Sequence, residues 1–284
     1  MEEVYRPKNL SELDKIIREN KTELIYLAGG TDLMVQEEKW QTVDKIIDLT
    51  SIKKIHETLE ISDSHVLIGS ALPLSKIISN HTIQQRLPIL VEACQQIGSA
   101  QIQNRATLGG NIANASPAGD SLPVLCVLDA EIWVGPRQNA EFQKLRIDQV
   151  MLNPGETNLE DNRYIAFVSI LIPKAENQFW YFRKVGQRKA LAISKVSLAV
   201  LGWIKDNKIQ KVRISTGSVS PQIKRATQTE AILNNQVLNE HLIENARQSI
   251  MKEVNPITDI RSTDEYRRYI CGELLREALY ERLA

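Results

Sequence analysis

Two pairs of adjacent glycines constrain this chain more than any other feature. The first stands in Ala28-Gly29-Gly30-Thr31-Asp32, directly after the apolar run Leu24-Ile25-Tyr26-Leu27. The second stands in Thr107-Leu108-Gly109-Gly110-Asn111, ahead of Ala115-Ser116-Pro117-Ala118-Gly119-Asp120-Ser121. Each reads as a junction between a strand and a loop. Without a Cβ, glycine lets other atoms reach the main chain, and successive N–H groups form a concavity that suits an anion. Two such loops in one chain point to a ligand with a long phosphate bridge. The same residues also make ordinary tight turns.

Bulk composition narrows the classes of partner. The 284 residues are 43% apolar, enough for a large core and for two domains. Lys plus Arg and Asp plus Glu both number 35, so the net charge is zero and no nucleic-acid or membrane surface is favoured electrostatically. Cys94, Cys126 and Cys271 form no CxxC and read as buried thiols of a reducing cytoplasm. They cannot hold an iron–sulfur centre. His56, His65, His81 and His241 share no metal-ligand spacing. The acidic N-terminus predicts no signal peptide, and no apolar run approaches the length of a membrane span.

Along the chain, Ser11 is a candidate cap for a helix over 12–20, and strands are expected over Glu23–Leu27 and Val43–Asp48, with a short helical turn over Asp32–Gln36. Strands over Ile55–Ile61 and His65–Gly69 follow, then helices over 74–79 and 87–97. The Asp120-Ser121 pair signals a helix over Pro123–Leu128. Strands are expected over Ala130–Val134 and Tyr164–Ile172. The pattern changes near Pro173–Asn177, giving domains of 1–175 and 176–284, the first divided near residue 54. In the second domain, strands are expected over Phe179–Lys184, Ala192–Ile204 and Ile209–Gly217, with Asp206-Asn207 as a hairpin turn. Helices over 227–234, 240–252 and 263–282 close the chain, the last opening on the capping pattern Ser262–Glu265.

A self-contained active site is missing from the sequence. There is no GxSxG, HExxH, Walker A or GxGxxG after a strand. The carboxylate pairs Glu37-Glu38 and Glu160-Asp161 sit in polar stretches and read as solvated surface. What remains is the polar side chains beside the glycines. Thr31 and Asp32 can meet a phosphate, ribose or flavin edge, although Asp32 could equally cap the turn beginning at Leu33. Thr107, Asn111 and Asn114 offer donors near the second loop. Asp120 suits a ribose hydroxyl or an adenine amine, or a capping role, because a carboxylate facing a phosphate is repelled.

Five landmarks in order resemble the FAD-binding medium subunit of the molybdenum hydroxylases, the group of xanthine dehydrogenase, carbon monoxide dehydrogenase and aldehyde oxidase. They are Leu27–Met34, Gln101–Ile112, Ser116–Pro123, Phe182–Arg188 continuing into Ala190–Val196, and Asp259–Ser262 with Glu265–Arg268. The resemblance covers nearly the whole chain. It implies an α+β fold: a PCMH-type FAD-binding domain of two subdomains, then a smaller α+β C-terminal domain with a three-stranded antiparallel sheet. It implies that FAD lies extended between the subdomains, held without a covalent tether. The site residues it implies are Leu27, Ala28, Gly29, Gly30, Thr31, Asp32, Leu33 and Met34 from the first loop, and Thr107, Leu108, Gly109, Gly110 and Asn111 from the second. Asp120, Phe167 and Lys184 align by spacing with further FAD contacts. Gln103 departs from the pattern, since many relatives carry Arg there, and this bears on how tightly FAD is held.

The same resemblance implies the function. A large molybdopterin subunit would oxidise the substrate and a small [2Fe–2S] subunit would relay electrons, while this chain passes them through flavin to NAD or another acceptor. The protein supplies position and electrostatics, and the redox chemistry belongs to the cofactor. Two other readings compete. A stand-alone flavin oxidase of the vanillyl-alcohol-oxidase type would need a larger substrate domain than the residues beyond 175 provide. A flavin-free assembly scaffold would have no use for intact glycine loops.

Overall fold

The computed structural model describes residues 3–20, 22–36, 38, 45–138, 141–159, 162–188 and 191–283. The first unit is a sheet of three parallel strands, β1 (Glu3–Tyr5), β2 (Ile25–Leu27) and β3 (Lys45–Asp48), in the order β1-β3-β2. Residues 43 and 44 of the expected second strand lie outside the described residues. The helix Leu10–Glu19 is capped by Asn9, whose Oδ1 accepts from the Glu12 N–H at 2.9 Å, and Ser11 falls inside the first turn. Leu10, Leu13 and Ile17 recur at helical spacing and pack with Ile47 and Leu49.

The second unit is a five-stranded antiparallel sheet in the order β4-β5-β10-β6-β7. Its strands are β4 (Leu59–Ile61), β5 (His65–Gly69), β6 (Glu131–Gln138), β7 (Glu141–Arg146) and β10 (Tyr164–Leu171). The strand expected over Ile55–Ile61 is in fact a helical turn, Lys53–His56, followed by the shorter β4. The Ile55 carbonyl accepts from the Ala71 N–H, and a Cβ on Gly69 would lie 2.1 Å from that carbonyl oxygen. The local pairing is thus with the 69–71 corner and not with a sheet edge. Edge strand β7 carries Glu141, Gln143, Lys144 and Arg146, and that polarity hides it from a search for apolar alternation. A small hairpin, β8 (Met151–Asn153) with β9 (Glu156–Thr157), turns through Pro154-Gly155. Helices Pro88–Gln95, Leu108–Ala113 and Ser121–Val127 lie over the sheet and share a core with Ile132, Val134, Val168 and Ile170.

The third unit is the antiparallel sheet β11 (Gln178–Val185), β12 (Val196–Lys205) and β13 (Lys208–Gly217). The β12–β13 hairpin turns through Asp206 and Asn207, both at positive φ (50° and 57°), as a tight primed turn requires. Central strand β12 is buried on both faces. Leu198 and Val200 pack with Ile243, Ile250, Leu275 and Leu279 of the helices Glu240–Glu253 and Asp264–Tyr280, while Ala199 and Leu201 join the core of the second unit.

The turn before the last helix is held by a charge cluster. Asp259 Oδ1 accepts from Arg267, which is 2% exposed, at 2.5 Å, and Asp259 Oδ2 accepts from Arg261. Burial pushes the Asp259 carboxyl up, but its bonds from Arg261 and Arg267 outweigh that and hold it well below the usual carboxylate range. A depressed carboxyl stabilises the fold above the unfolded value of about 3.9, and that contribution is lost as pH falls through the folded value. Asp259→Asn should therefore lower unfolding free energy at pH 7 by about 3 kcal/mol, because it leaves the buried Arg267 guanidinium with neutral acceptors only, Ser218 O among them. Denaturant titrations should show the gap to wild type narrowing as pH is taken below about 4.

Candidate functional site

The two glycine segments line one groove of about 1200 Å³ between the first two units. From the first segment come Leu27, Ala28, Gly29, Gly30, Thr31, Asp32 and Leu33; from the second come Thr107, Gly110 and Asn111. The segments also touch. A Cβ on Gly29 would lie 2.0 Å from the Arg105 carbonyl oxygen and 3.0 Å from Ala106 Cα, so only glycine permits this approach. Gly30 serves a different purpose, since its φ of +71° turns the chain into the short 3-10 helix Leu33–Val35. Among the described residues, the N–H groups of Gly29, Gly30, Thr31 and Asp32 meet no protein acceptor. Four successive open amides beside a groove make an anion cradle. Asp32 does not cap the 3-10 helix with its side chain; its Oδ2 accepts from Gln36 Nε2 instead.

The second segment corrects the expectation of a second open loop. No strand leads into it: the helix Ala100–Gln103 precedes it, and Leu108–Ala113 is itself helical. Its amides are used internally. Gly109 N–H donates to Ser70 O, Gly110 N–H to Thr107 Oγ1 and Asn111 N–H to Thr107 O, each at 3.0 Å. Gly109 is buried, and a Cβ there would meet Ser70 O at 2.6 Å. Gly110 faces the groove, where the nearest atom to a Cβ would be Thr107 Oγ1 at 3.0 Å. This segment offers the groove room and side chains, and the first offers amides.

Several groove residues were not among the expected site residues. Ile97, Ile102 and Leu159 add apolar wall, and Arg163 places a cation on the groove, its NH1 donating to Asn158 O at 3.4 Å. Asn162 bridges the two units at the rim. Its Oδ1 accepts from Leu24 N–H at 2.9 Å, its Nδ2 donates to Thr22 O at 3.0 Å, and its backbone carbonyl accepts from the Tyr26 hydroxyl. Asn162 sits at a positive φ of 59°, which asparagine tolerates, and no sequence signal marks it because it meets Leu24 only after folding.

Six expected site residues do not line the groove: Met34, Leu108, Gly109, Asp120, Phe167 and Lys184. Met34 points to solvent, whereas Leu108 and Gly109 pack inward. Phe167 is buried against Trp133 and Phe142 at edge-on ring contacts of 6.0 and 5.7 Å. Asp120 leaves its capping role because its Oδ2 pairs with Lys184 Nζ at 2.5 Å, and the same ammonium donates to Gln96 O at 3.1 Å. Burial pushes the Asp120 carboxyl up to about 6 against the opposing pull of Lys184, and its buried Oδ1 has no partner among the described residues. Gln103 Nε2 donates to Gln95 O and Ile97 O, finishing the helix Pro88–Gln95. Of the carboxylate pairs, Glu37, Glu160 and Asp161 lie outside the described residues, and Glu38 lines the groove.

All three cysteines are buried, and burial pushes their thiols up to about 12 (Cys94), 11 (Cys126) and 12 (Cys271). Among the described residues, no group of three or more His, Cys, Asp or Glu is placed to hold a metal, and no helix is long and apolar enough to cross a membrane.

An extended groove between two α+β units, with free amides on one wall and a glycine-opened helix start on the other, suits an elongated ligand that carries negative charge. A family model described as the FAD binding domain in molybdopterin dehydrogenase matches residues 1–175, and one described as the CO dehydrogenase flavoprotein C-terminal domain matches residues 180–282. The chain belongs to this family, the FAD-binding oxidoreductase subunits of the molybdenum hydroxylases. It is 26% identical over 282 residues to the xanthine dehydrogenase FAD-binding subunit of Escherichia coli O157:H7, covering 99% of this chain and 95% of the relative. It is 25% identical over 280 residues to the carbon monoxide dehydrogenase medium chain of Hydrogenophaga pseudoflava, covering 98% and 95%. The fold matches a chain of carbon monoxide dehydrogenase from Hydrogenophaga pseudoflava with a TM-score of 0.89 at 24% identity, covering 99% of this chain and 98% of that chain. It matches quinoline 2-oxidoreductase from Pseudomonas putida 86 with a TM-score of 0.89 at 19% identity, covering 99% of this chain and 96% of that chain.

The glycines should separate by mutation. Gly110→Leu should abolish FAD binding while thermal unfolding of the FAD-free chain shifts little, since the new side chain enters the groove. Gly29→Ala should destabilise the FAD-free chain itself by about 1–3 kcal/mol, because a backbone carbonyl must move. Equal unfolding temperatures with equal FAD affinities would contradict both assignments.

Proposed function

We propose that this chain binds FAD extended along the groove, with the Gly29–Asp32 amides on the diphosphate and Gly110 leaving it room, and that it relays electrons from a [2Fe–2S] partner subunit to NAD or another acceptor. The observation that carries this reading is the convergence of both glycine segments on one groove whose first wall carries four amides that meet no acceptor among the described residues. Bound FAD supplies a carrier that takes up two electrons and can exchange them singly. The chain's own residues hold and shield it. The cradle and Arg163 meet negative charge, Ile97, Ile102 and Leu159 exclude water, and Thr107 and Asn111 offer hydrogen bonds from the opposite wall.

Partnership is inferred from the company this chain keeps. The similar proteins are named as an FAD-binding subunit and a medium chain, which supports a complex with a small iron–sulfur and a large molybdopterin subunit. We place the domains at 1–175, divided near residue 54, and 176–284, and the complex in the cytoplasm. Met34, Asp120, Phe167 and Lys184 fit this reading as residues that shape the site from behind or at its margin, not as wall of the groove.

Purified chain should carry flavin absorbance or gain it stoichiometrically with added FAD. In the assembled complex, substrate should bleach that absorbance, and omission of the iron–sulfur subunit should prevent bleaching. A colourless chain that takes up no FAD would overturn the cofactor site. Bleaching that survives without the iron–sulfur subunit would overturn the electron route.

A further inference from the structure

Ser121 is fully buried, opening the otherwise apolar helix Ser121–Val127. A buried hydroxyl is costly unless it is hydrogen-bonded. Its Oγ donates to Asn111 Oδ1 at 2.6 Å. Asn111 lines the groove, and its backbone N–H is already committed to Thr107 O. Among the described residues, Asn111 Nδ2 reaches no protein acceptor. The carboxamide is planar, with its oxygen and nitrogen on opposite edges. Fixing the oxygen edge therefore fixes where the two N–H donors point.

We propose that Ser121 is a positioning residue for FAD: by holding Asn111 Oδ1 it presents Asn111 Nδ2 as a donor to an acceptor oxygen of the cofactor. This rests on the reading of Asn111 as part of the FAD site. Without Ser121 the carboxamide can rotate, and half of its orientations then set carbonyl oxygen against ligand oxygen. The hydroxyl is itself held in place. Its neighbour Asp120 is paired with Lys184 of β11, so the third unit fixes the start of the helix that carries Ser121. The orientation of a groove donor is in this way tied to a residue of the third unit.

The test uses the full chain stripped of flavin and titrated with FAD by fluorescence quenching. Ser121→Ala should weaken binding about fivefold, equivalent to about 1 kcal/mol, and the nearly isosteric Ser121→Cys should fall between it and wild type. Asn111→Ala should weaken binding at least as much. The double variant should bind no worse than Asn111→Ala alone, because Ser121 acts only through Asn111. A general structural role for Ser121 would instead make the two losses add. Additive losses, or unchanged affinity in both Ser121 variants while Asn111→Ala binds weakly, would overturn the proposal alone. Unchanged affinity in Asn111→Ala would overturn the assignment of Asn111 to the site, and the proposal with it.

Discussion

The structure depends on a contact between two stretches of main chain. Gly29 rests against the carbonyl of Arg105 and the Cα of Ala106 with no space for a side chain. That contact draws the turn after β2 against the segment leading into the Leu108–Ala113 helix, and the groove is what remains open beside it. Asn162 secures the same two units at the rim through a side chain that behaves as a piece of strand, accepting from Leu24 and donating to Thr22. The groove's walls are therefore fixed by backbone and amide contacts at two places, and both are short-range and intolerant of added volume. A cradle whose geometry is settled in advance loses little entropy on taking up a ligand.

The helix Ser121–Val127 connects this site to the rest of the molecule. At its start, Asp120 pairs with Lys184 of β11; just beyond its end, Asp129 pairs with Arg213 of β13 at 2.6 Å and with Arg225 at 3.1 Å. Its apolar residues fill the space between the five-stranded sheet and the near face of β12. A seven-residue helix is too short to be stable by itself, and here ion pairs at both ends and burial along its length replace intrinsic propensity.

Much of this was legible in the chain, and the failures have physical causes. The ordered landmarks gave the family and the α+β architecture, and turn chemistry located the Asp206-Asn207 hairpin between β12 and β13, although β12 begins at Val196 and not at the expected Ala192. The glycines marked the site but not the division of labour among them. Gly29 and Gly109 allow close packing, Gly30 supplies a positive φ, and Gly110 faces the groove; all four look alike in sequence. The Ile55 region resembled a strand because its apolar residues alternate, yet its contacts are with a corner of chain more than ten residues away. Asp120 resembled a helix cap because the motif was local, while its partner Lys184 lies 64 positions downstream. Tyr26, Asn162 and Arg163 carried no motif, since their relation to the groove exists only once the two units meet.

The double burial of β12 bears on how such a protein can be divided. Its composition changes near Pro173–Asn177, a natural place to cut a gene. Yet Phe182, Ala199, Leu201 and Ile223 belong to the same core as Leu122 and Leu125. A fragment ending at that boundary would leave an apolar face without its cover, and the complementary fragment would expose the opposite side of a central strand. The seam in the sequence is therefore not a seam in stability. The core runs without a break across the change in composition, so the residues on either side of it pack as one body.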